Sequence, residues 1–187
     1  MRIFLAVDIS DELREELALI QKKLSDKLSN TKWVIPENLH ITLKFIGEVE
    51  PEEAENVAMH LEQPIKKTPS FYIELGELGV FPNIKRPRVF WAGLKKGRRE
   101  LIHLNGLVEK KLFSAGSEKS SKPFSPHITM ARFRHPPSSK EVENAMEYAS
   151  LIKNKGHLVQ GISIYESILK PKGPEYKLLY FLSTNNS

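Results

Sequence analysis

Residues 40–45 read His-Ile-Thr-Leu-Lys-Phe, and residues 127–132 read His-Ile-Thr-Met-Ala-Arg. The two segments begin with the same tripeptide and stand 87 residues apart in a chain of 187 residues. Because side chains alternate between the two faces of a β-strand, the histidine and threonine of each segment point to one face and the apolar residues to the other. The repeat therefore predicts two equivalent strands, one from each half of the fold, each with a core face and a polar face.

The two polar faces carry His40 with Thr42 and His127 with Thr129. Imidazole ionises near pH 6.5, so one neutral and one protonated histidine supply a general base and a general acid near neutral pH. Threonine hydroxyls can hold phosphate oxygens between the two rings. A single histidine in a strand is more often structural, but the same unusual polarity at two equivalent positions favours a cleft. The set predicts in-line phosphoryl chemistry without a metal.

Composition and charge exclude several classes of protein. The chain has no cysteine, which excludes disulfides, thiolate nucleophiles and cysteine-ligated zinc. Neither a glycine-rich phosphate loop nor a Gly-x-Ser-x-Gly elbow is present in the sequence. The net charge of +5 favours anionic partners such as RNA or nucleotides, although it is equally consistent with a role in solubility. The apolar start at residues 3–9 is too short for a signal peptide or membrane span, so we expect a cytoplasmic protein with no membrane partner.

The pattern of apolar residues predicts strands and helices that alternate along the chain. Strands are expected at residues 2–9, 33–35, 40–46, 71–80, 88–94, 125–133, 157–169 and 176–183. Helices are expected from an N-cap at Ser10 to Asn30, from Pro51 onward, and at residues 97–113 and 138–152. Residues 114–123 are expected to form a mobile loop, and residues 171–174 a turn. The sequence therefore predicts an α+β fold, without a long linker between independent domains.

These features resemble the two-histidine (2H) phosphoesterases, and within them the bacterial and archaeal RNA 2′,3′-cyclic phosphodiesterases, historically called 2′-5′ RNA ligases. The similarity covers nearly the whole chain, and both His-x-Thr-x motifs are intact. Outside the motifs it is carried by residues 2–7, 33–34, 36–39, 45–48, 89–93, 124–126 and 167–176.

The resemblance implies a bilobal α+β fold in which two pseudo-symmetric antiparallel sheets, each backed by helices, enclose the active-site cleft. Residues 1–187 would form one such domain of two lobes. The implied reaction is hydrolysis of RNA 2′,3′-cyclic phosphate ends to 2′-phosphomonoesters with no metal or other cofactor, and reversible 2′-5′ ligation as a further activity. The implied partners are RNA ends, with tRNA halves as candidates, and the implied state is a monomer.

Carried over to this sequence, the resemblance implies that His40 is the proton donor and His127 the proton acceptor. Thr42 and Thr129 would bind the phosphate oxygens. Arg132, three residues after the second threonine, would contact the phosphate, since arginine suits bidentate phosphate recognition. Two alternatives stay open: the same chemistry on a small cyclic nucleotide or an ADP-ribose cyclic phosphate, and a non-catalytic RNA- or nucleotide-binding module.

Several further side chains have a structural and a functional interpretation. If its strand runs straight, Lys44 shares the face of the histidine and adds positive potential to the cleft. Phe45, Phe124 and Trp91 are aromatic residues that could stack on a base, but we expect them in the core. The basic run at residues 95–99 is expected to be a solvated helix start rather than an RNA grip. The remaining histidines are expected to be structural or surface residues: His60, His103, His135 and His157.

Overall fold

The computed structural model describes residues 1–153, 156–171 and 173–185. Within these residues the chain forms nine strands and four α-helices. The strands are β1 (Arg2–Asp8), β2 (Thr31–Trp33), β3 (His40–Glu48), β4 (Phe71–Phe81), β5 (Val89–Lys96), β6 (Ile128–Phe133), β7 (Gly156–Val159), β8 (Gly161–Lys170) and β9 (Gly173–Ser183). The helices are α1 (Asp11–Ser25), α2 (Pro51–Lys66), α3 (Arg98–Ser114) and α4 (Ser139–Met146), with short 3₁₀ helices at Pro36–Asn38 and Glu147–Leu151.

The strands pair antiparallel in the order β7-β4-β5-β6-β3-β1-β8-β9, and β2 pairs with β6. We call β3, β1, β8 and β9 the first lobe, and β2, β4, β5, β6 and β7 the second lobe. The chain passes to the second lobe for β2, returns for β3, leaves again for β4 to β7 and returns for β8 and β9. The lobes are therefore not the two halves of the sequence.

The two lobes meet at one register pair, Ile41 of β3 opposite Ile128 of β6. These are the middle residues of the two His-Ile-Thr segments, so a local pseudo-two-fold axis relates each residue of the first motif to its counterpart in the second. The two sheets expected for a bilobal fold are thus joined into one continuous sheet by the pairing of β3 with β6.

The helices form where the sequence supplies both a cap and an apolar face. The Ser10 hydroxyl accepts a hydrogen bond from the backbone N–H of Leu13 at the start of α1, and acidic residues occupy the first turn. The side chains of α1 that face the sheet are at most 1% exposed: Leu13, Leu17, Ile20 and Leu24. Burying each such leucine contributes about 1.5–3 kcal/mol. The core therefore lies between the helices and the sheet face opposite the cleft.

One predicted strand, residues 157–169, is two strands in the structure. Gln160 separates β7, which pairs with β4 of the second lobe, from β8, which pairs with β1 and β9 of the first. Residues typical of strands continue on both sides of Gln160, so the local sequence pattern did not reveal the change of partner.

The other differences are at element ends. The second motif strand begins at Ile128 rather than at 125, and the helix expected over 138–152 passes into a 3₁₀ helix after Met146. The segment expected to be mobile is held at Glu118 and Ser120 by hydrogen bonds described below. The expected turn at 171–174 includes Lys172, which is outside the described residues. No helix in the described part of the chain is long and apolar enough to cross a membrane.

Candidate active site

Each motif strand contains a β-bulge directly after its threonine. In β3, Thr42 and Lys44 pair with consecutive residues of β1, so Leu43 is an extra residue in the register. In β6, Thr129 and Ala131 pair with consecutive residues of β5, so Met130 is extra at the equivalent position. A bulge of this kind places two residues opposite one and interrupts the alternation of the strand.

The first bulge overturns two expectations. Lys44 does not share the face of His40: it is 5% exposed, and its ammonium donates to both carboxylate oxygens of Glu109 on α3, at 3.0 and 2.9 Å. It also donates to the backbone carbonyl of Glu118. Phe45 is not in the core, because the extra residue turns it to the cleft, where its side chain is 67% exposed. The straight-strand assumption behind both expectations was wrong.

The other aromatic candidates have separate outcomes. Phe124 packs against the core, as predicted. The Trp91 ring does not: it lies with its centroid 5.1 Å from that of Phe81 and 6.4 Å from that of His127. In the second motif, Arg132 occupies the place that Phe45 has in the first, and its side chain is exposed.

The two histidine rings are held in the same way. The Nδ1 atom of His40 lies 2.7 Å from the carbonyl oxygen of Asn38, and that of His127 lies 2.7 Å from the carbonyl oxygen of Ser125. A carbonyl oxygen only accepts, so each Nδ1 carries a hydrogen and each Nε2 is the nitrogen that changes protonation state. The Nε2 atom of His40 lies 2.9 Å from the Thr42 hydroxyl oxygen.

Aromatic rings surround both imidazoles. The His40 ring packs against Phe4, with centroids 5.0 Å apart, and lies nearly perpendicular to the Tyr176 ring, with centroids 5.4 Å apart. The His127 ring lies nearly perpendicular to the Phe81 ring, with centroids 4.9 Å apart. This packing removes water from the rings and therefore disfavours their charged forms.

Burial lowers the pKa of His40 below 6.5, against the hydrogen bond to Asn38 and the negative charge of Asp8, while the charge of His127 lowers it further. Burial also lowers the pKa of His127 below 6.5, against the hydrogen bond to Ser125, and the charge of Arg132 lowers it further. The two rings differ in the charged group beside them.

Asp8 is a site residue that the sequence reasoning missed. It pairs with His40 in the β1–β3 register, so its side chain lies on the same face of the sheet. Its carboxylate accepts hydrogen bonds from the hydroxyls of Ser163 and Tyr165, the latter at 2.7 Å. Burial, with this carboxylate, raises the pKa of Tyr165 to about 12. The signal was present: Asp8 is the one charged residue of the apolar stretch 3–9.

A cavity of about 280 Å³ opens between the two motifs. Its volume is near the lower end of the range of roughly 300–1,000 Å³ that is usual for ligand pockets. The lining residues are Lys32, Trp33, Val34, Ile35, Asn38, His40, Thr42, Phe45, Thr129, Arg132, Gly173, Pro174 and Tyr176. Four of the five candidate site residues thus line one cavity. His127 is not among them, but it lies close enough for its charge to affect the pKa of His40.

The remaining candidates lie away from this cavity. The basic run 95–99 is a solvated helix start, as predicted: α3 begins at Arg98, and Lys96 forms an ion pair with Glu74. The other four histidines are exposed or half-buried. Among the described residues there is no cluster of three or more His, Cys, Asp or Glu side chains that could hold a metal ion.

Residues 7–91 match the family model of the LigT-like phosphoesterases. An RNA 2′,3′-cyclic phosphodiesterase of Archaeoglobus fulgidus is 39% identical over 179 residues, which cover 95% of this chain and 97% of that protein. A protein of the same name from Thermotoga maritima is 34% identical over 186 residues, covering 96% of this chain and 94% of its relative. The chain belongs to the LigT-like phosphoesterase family.

Solved structures resemble this LigT-like phosphoesterase over its whole length. The crystal structure of TT0787 of Thermus thermophilus matches with a TM-score of 0.80 and 29% identity, covering 100% of this chain and 99% of that one. Escherichia coli LigT complexed with 3′-AMP matches with a TM-score of 0.77 and 25% identity, covering 98% of this chain and 97% of that one. The α+β fold and the family expected from the sequence are confirmed.

Proposed function

We propose that this chain hydrolyses RNA 2′,3′-cyclic phosphate ends to 2′-phosphomonoesters by general acid–base catalysis without a metal. The proposal is supported by the curated relatives, which carry the name of this activity, and by two histidines held alike at Nδ1 beside a cavity that both motif threonines line. A cyclic phosphodiester needs one proton removed from the attacking water and one delivered to the leaving oxygen. Two imidazoles can do both near neutral pH.

In this proposal, Nε2 of His127 takes a proton from water as the water oxygen forms a bond to phosphorus. The bond from phosphorus to the 3′-oxygen breaks, and Nε2 of His40 gives its proton to that oxygen. The product has a 2′-phosphate and a 3′-hydroxyl. Thr42 and Thr129 donate hydrogen bonds to the non-bridging oxygens, and the guanidinium of Arg132 balances their charge.

The observation that carries the direction of proton transfer is the charge beside each ring. The carboxylate of Asp8 lies opposite His40 and favours its protonated form, as an acid requires. In the second lobe the equivalent position is Gly93, because Ala92 pairs with Ile128 as Val7 pairs with Ile41. The Glu77 carboxylate lies over Gly93, but the charge that shifts the pKa of His127 is that of Arg132.

The charge that shifts the pKa of His127 has the opposite sign. The guanidinium of Arg132 favours the neutral ring, as a base requires. The pseudo-symmetric cleft is therefore asymmetric in charge, with the acid on the carboxylate side and the base on the cation side.

Phe45 supports the same orientation of substrate. Its exposed ring lies on the His40 side of the cavity, where its counterpart across the pseudo-two-fold axis is Arg132. Bases stack on exposed aromatic rings, at about 1–3 kcal/mol per base. A terminal nucleoside on Phe45 places its ribose, and hence the leaving 3′-oxygen, beside His40.

The test is cleavage of a short RNA with a 2′,3′-cyclic phosphate end in excess chelator. The parent protein should form a 2′-phosphate end, and His40→Ala and His127→Ala should each lower kcat by at least about 100-fold, the lower range of acid–base contributions. His103→Ala, an exposed histidine of α3, is the matched control and should retain the parent rate. Activity that returns only when metal is added, or a 3′-phosphate product, would contradict the proposal.

A second candidate is the same reaction on a small cyclic substrate. The cavity volume of about 280 Å³ favours it, because the space suits a single nucleotide. Competition of a cyclic mononucleotide or an ADP-ribose cyclic phosphate against the RNA separates the two: an RNA end should have the higher kcat/KM. Catalysis on neither substrate, with binding that survives loss of both histidines, would favour a binding module.

The proposal extends to three finer points. tRNA halves ending in a cyclic phosphate are candidate substrates. In 2′-5′ ligation an RNA 5′-hydroxyl attacks phosphorus in place of water, the bond to the 3′-oxygen breaks, and each histidine keeps its role; cleavage of the 2′-5′ bond is the reverse step, in which the two roles are exchanged. The active form is proposed to be a monomer, because one chain supplies residues of both motifs to the cavity. Light scattering at assay concentrations should give the mass of one chain, 21.4 kDa.

A further inference from the structure

Two buried carboxamides reach the motif strands from behind. Gln21 of α1 is 7% exposed and Asn105 of α3 is 8% exposed. The other buried residues of α3 are apolar, and those of α1 are apolar except Glu16. The Nδ2 atom of Asn105 donates to the carbonyl oxygen of Leu43 at 2.9 Å. The Nε2 atom of Gln21 donates to the carbonyl oxygen of Met130 at 3.0 Å. Each amide therefore binds the extra residue of one bulge.

Gln21 also bonds a second segment of the chain, the residue that follows β2. Its Nε2 atom also donates to the carbonyl oxygen of Val34, at 2.8 Å, and the Val34 N–H donates to the Met130 carbonyl oxygen. Gln21 thus ties the chain after β2, which lines the cavity at Val34, to the second bulge.

A bulge residue does not follow the regular ladder of its strand, so its buried carbonyl needs a donor from elsewhere. A buried carbonyl without a donor costs about 1–3 kcal/mol. An apolar side chain at position 105 removes the side-chain donor of the Leu43 carbonyl. At position 21 it removes the side-chain donor of the Val34 carbonyl and leaves the Met130 carbonyl with its hydrogen bond from the Val34 N–H, so either bulge can relax. Asn105 bonds the bulge of the first motif, and Gln21 bonds the bulge of the second.

We propose that Asn105 and Gln21 are positioning residues of the active site. Asn105 holds the bulge that turns Thr42 and Phe45 together to the cleft. Gln21 holds the bulge that does the same for Thr129 and Arg132. Neither side chain lines the cavity, so each acts through the backbone of its motif strand. This inference rests on the proposed function for its kinetic readout.

The test is a pair of crossed double-mutant cycles on the RNA substrate, with kcat measured below the unfolding temperature of every variant. Asn105→Leu and Gln21→Met replace each amide by an apolar side chain of similar size. Each should lower kcat by about 10- to 100-fold, because a shift of about 1 Å at a reacting group costs up to about 100-fold.

The prediction is specific because each helix substitution is combined once with a threonine substitution in its own motif and once with one in the other motif. In the Thr42→Ala background, Asn105→Leu should lower kcat by less than about 3-fold, because the hydroxyl that Asn105 positions is absent. In the Thr129→Ala background, Asn105→Leu should keep its full effect on kcat. Gln21→Met should behave in the opposite way. An equal loss in both backgrounds, or no loss at all, would overturn the proposal.

Two controls separate positioning from destabilisation. Leu17→Ala and Val108→Ala remove buried methyl groups of α1 and α3 that are not bonded to the bulges, and they should retain the parent kcat at the assay temperature. If Asn105→Leu fails to fold, Asn105→Ser, which is too short to reach the carbonyl, takes its place.

A second readout does not depend on turnover. The same cycles are run on the Kd for inorganic phosphate by titration calorimetry, where the threonine hydroxyls are expected to act as donors. If the parent binds phosphate but opens no cyclic phosphate, the proposed function fails. The positioning proposal then stands or falls on the crossed pattern in Kd, and it fails too if no crossed pattern is seen.

Discussion

His40 and His127 are the same side chain on equivalent strands, and their neighbours decide which one keeps its proton. The groups that face His40 are the Asp8 carboxylate from β1, the Tyr176 ring from β9 and the imidazole of His127. Burial lowers the pKa of both histidines below 6.5. In the proposed mechanism, the acid and the base of the free enzyme therefore both have pKa values below 6.5.

We predict a bell-shaped dependence of kcat/KM on pH with its maximum below pH 6.5. The acidic limb is protonation of His127, and the alkaline limb is loss of the proton of His40. A bound anionic phosphate favours both imidazolium forms, so the bell for kcat should lie at higher pH than the bell for kcat/KM. A rate that rises continuously from pH 5 to 9 would contradict the pairing.

Asp8→Asn tests the charge asymmetry. Removal of the carboxylate lowers the pKa of His40, which must be protonated, so the alkaline limb of kcat/KM should move to lower pH while the acidic limb stays. Asn keeps the size of the side chain and can still bond Ser163. A shift of the acidic limb instead would assign the acid to His127.

At the residue scale, the sequence predicted the two histidines and two threonines because a repeat makes an unusual polarity visible twice. It placed Phe45 and Lys44 on the wrong faces because a strict alternation assumes a strand without an extra residue. Asp8 was visible as a charge in an apolar strand, but its partner is set by strand pairing. Pairing between residues 8 and 40 is not visible in a local pattern.

At the scale of elements, the contact between β3 and α3 depends on a buried ion pair. Lys44 and Glu109 have side chains 4% and 17% exposed, and Ser120 donates to the same carboxylate from the following loop. Hydrogen bonds from Ser120 and Lys44 lower the pKa of Glu109, against the effect of burial. Its contribution to stability is therefore present above its unfolded pKa, near 4.5, and is lost as pH falls through the lower folded value.

We predict that Glu109→Leu lowers the free energy of unfolding by about 3 kcal/mol, because it leaves a buried ammonium without its counter-charge. Adding Lys44→Met should recover most of the loss. Urea unfolding at pH 7 measures both. If the double variant is no more stable than Glu109→Leu, the pair is not the source of the effect.

At the scale of the molecule, the chain crosses between lobes and neither lobe is a continuous segment. β1 and β3 of the first lobe flank β2 of the second in sequence, and β8 returns to the first lobe only after residue 160. The chain crosses between the lobes four times, so the folding of each lobe constrains the segments of the other. Sequence periodicity located the elements but not this exchange of partners, because pairing at long range leaves no local pattern.

We therefore predict one cooperative unfolding transition. Both tryptophans, Trp33 and Trp91, are in the second lobe, whereas far-UV circular dichroism reports on both lobes. Thermal or urea transitions followed by the two signals should coincide. A fluorescence transition that precedes the loss of circular dichroism would mean that the lobes unfold separately.

Because Glu109 neutralises Lys44 behind the sheet, the cations among the described cavity-lining residues are Lys32 and Arg132, both from the second lobe. Each cation that neutralises a phosphate of single-stranded RNA releases counterions, with a slope of about −0.7 in log K against log salt concentration. Two such contacts give about −1.4, whereas five, the size of the net charge, would give about −3.5. The slope is measured from the binding constant of the His40→Ala variant for cyclic-phosphate RNA at KCl concentrations from about 50 to 300 mM. A slope of about −1.4 would mean that the protein neutralises phosphates only at the terminus of the RNA, and that the rest of the strand keeps its counterions.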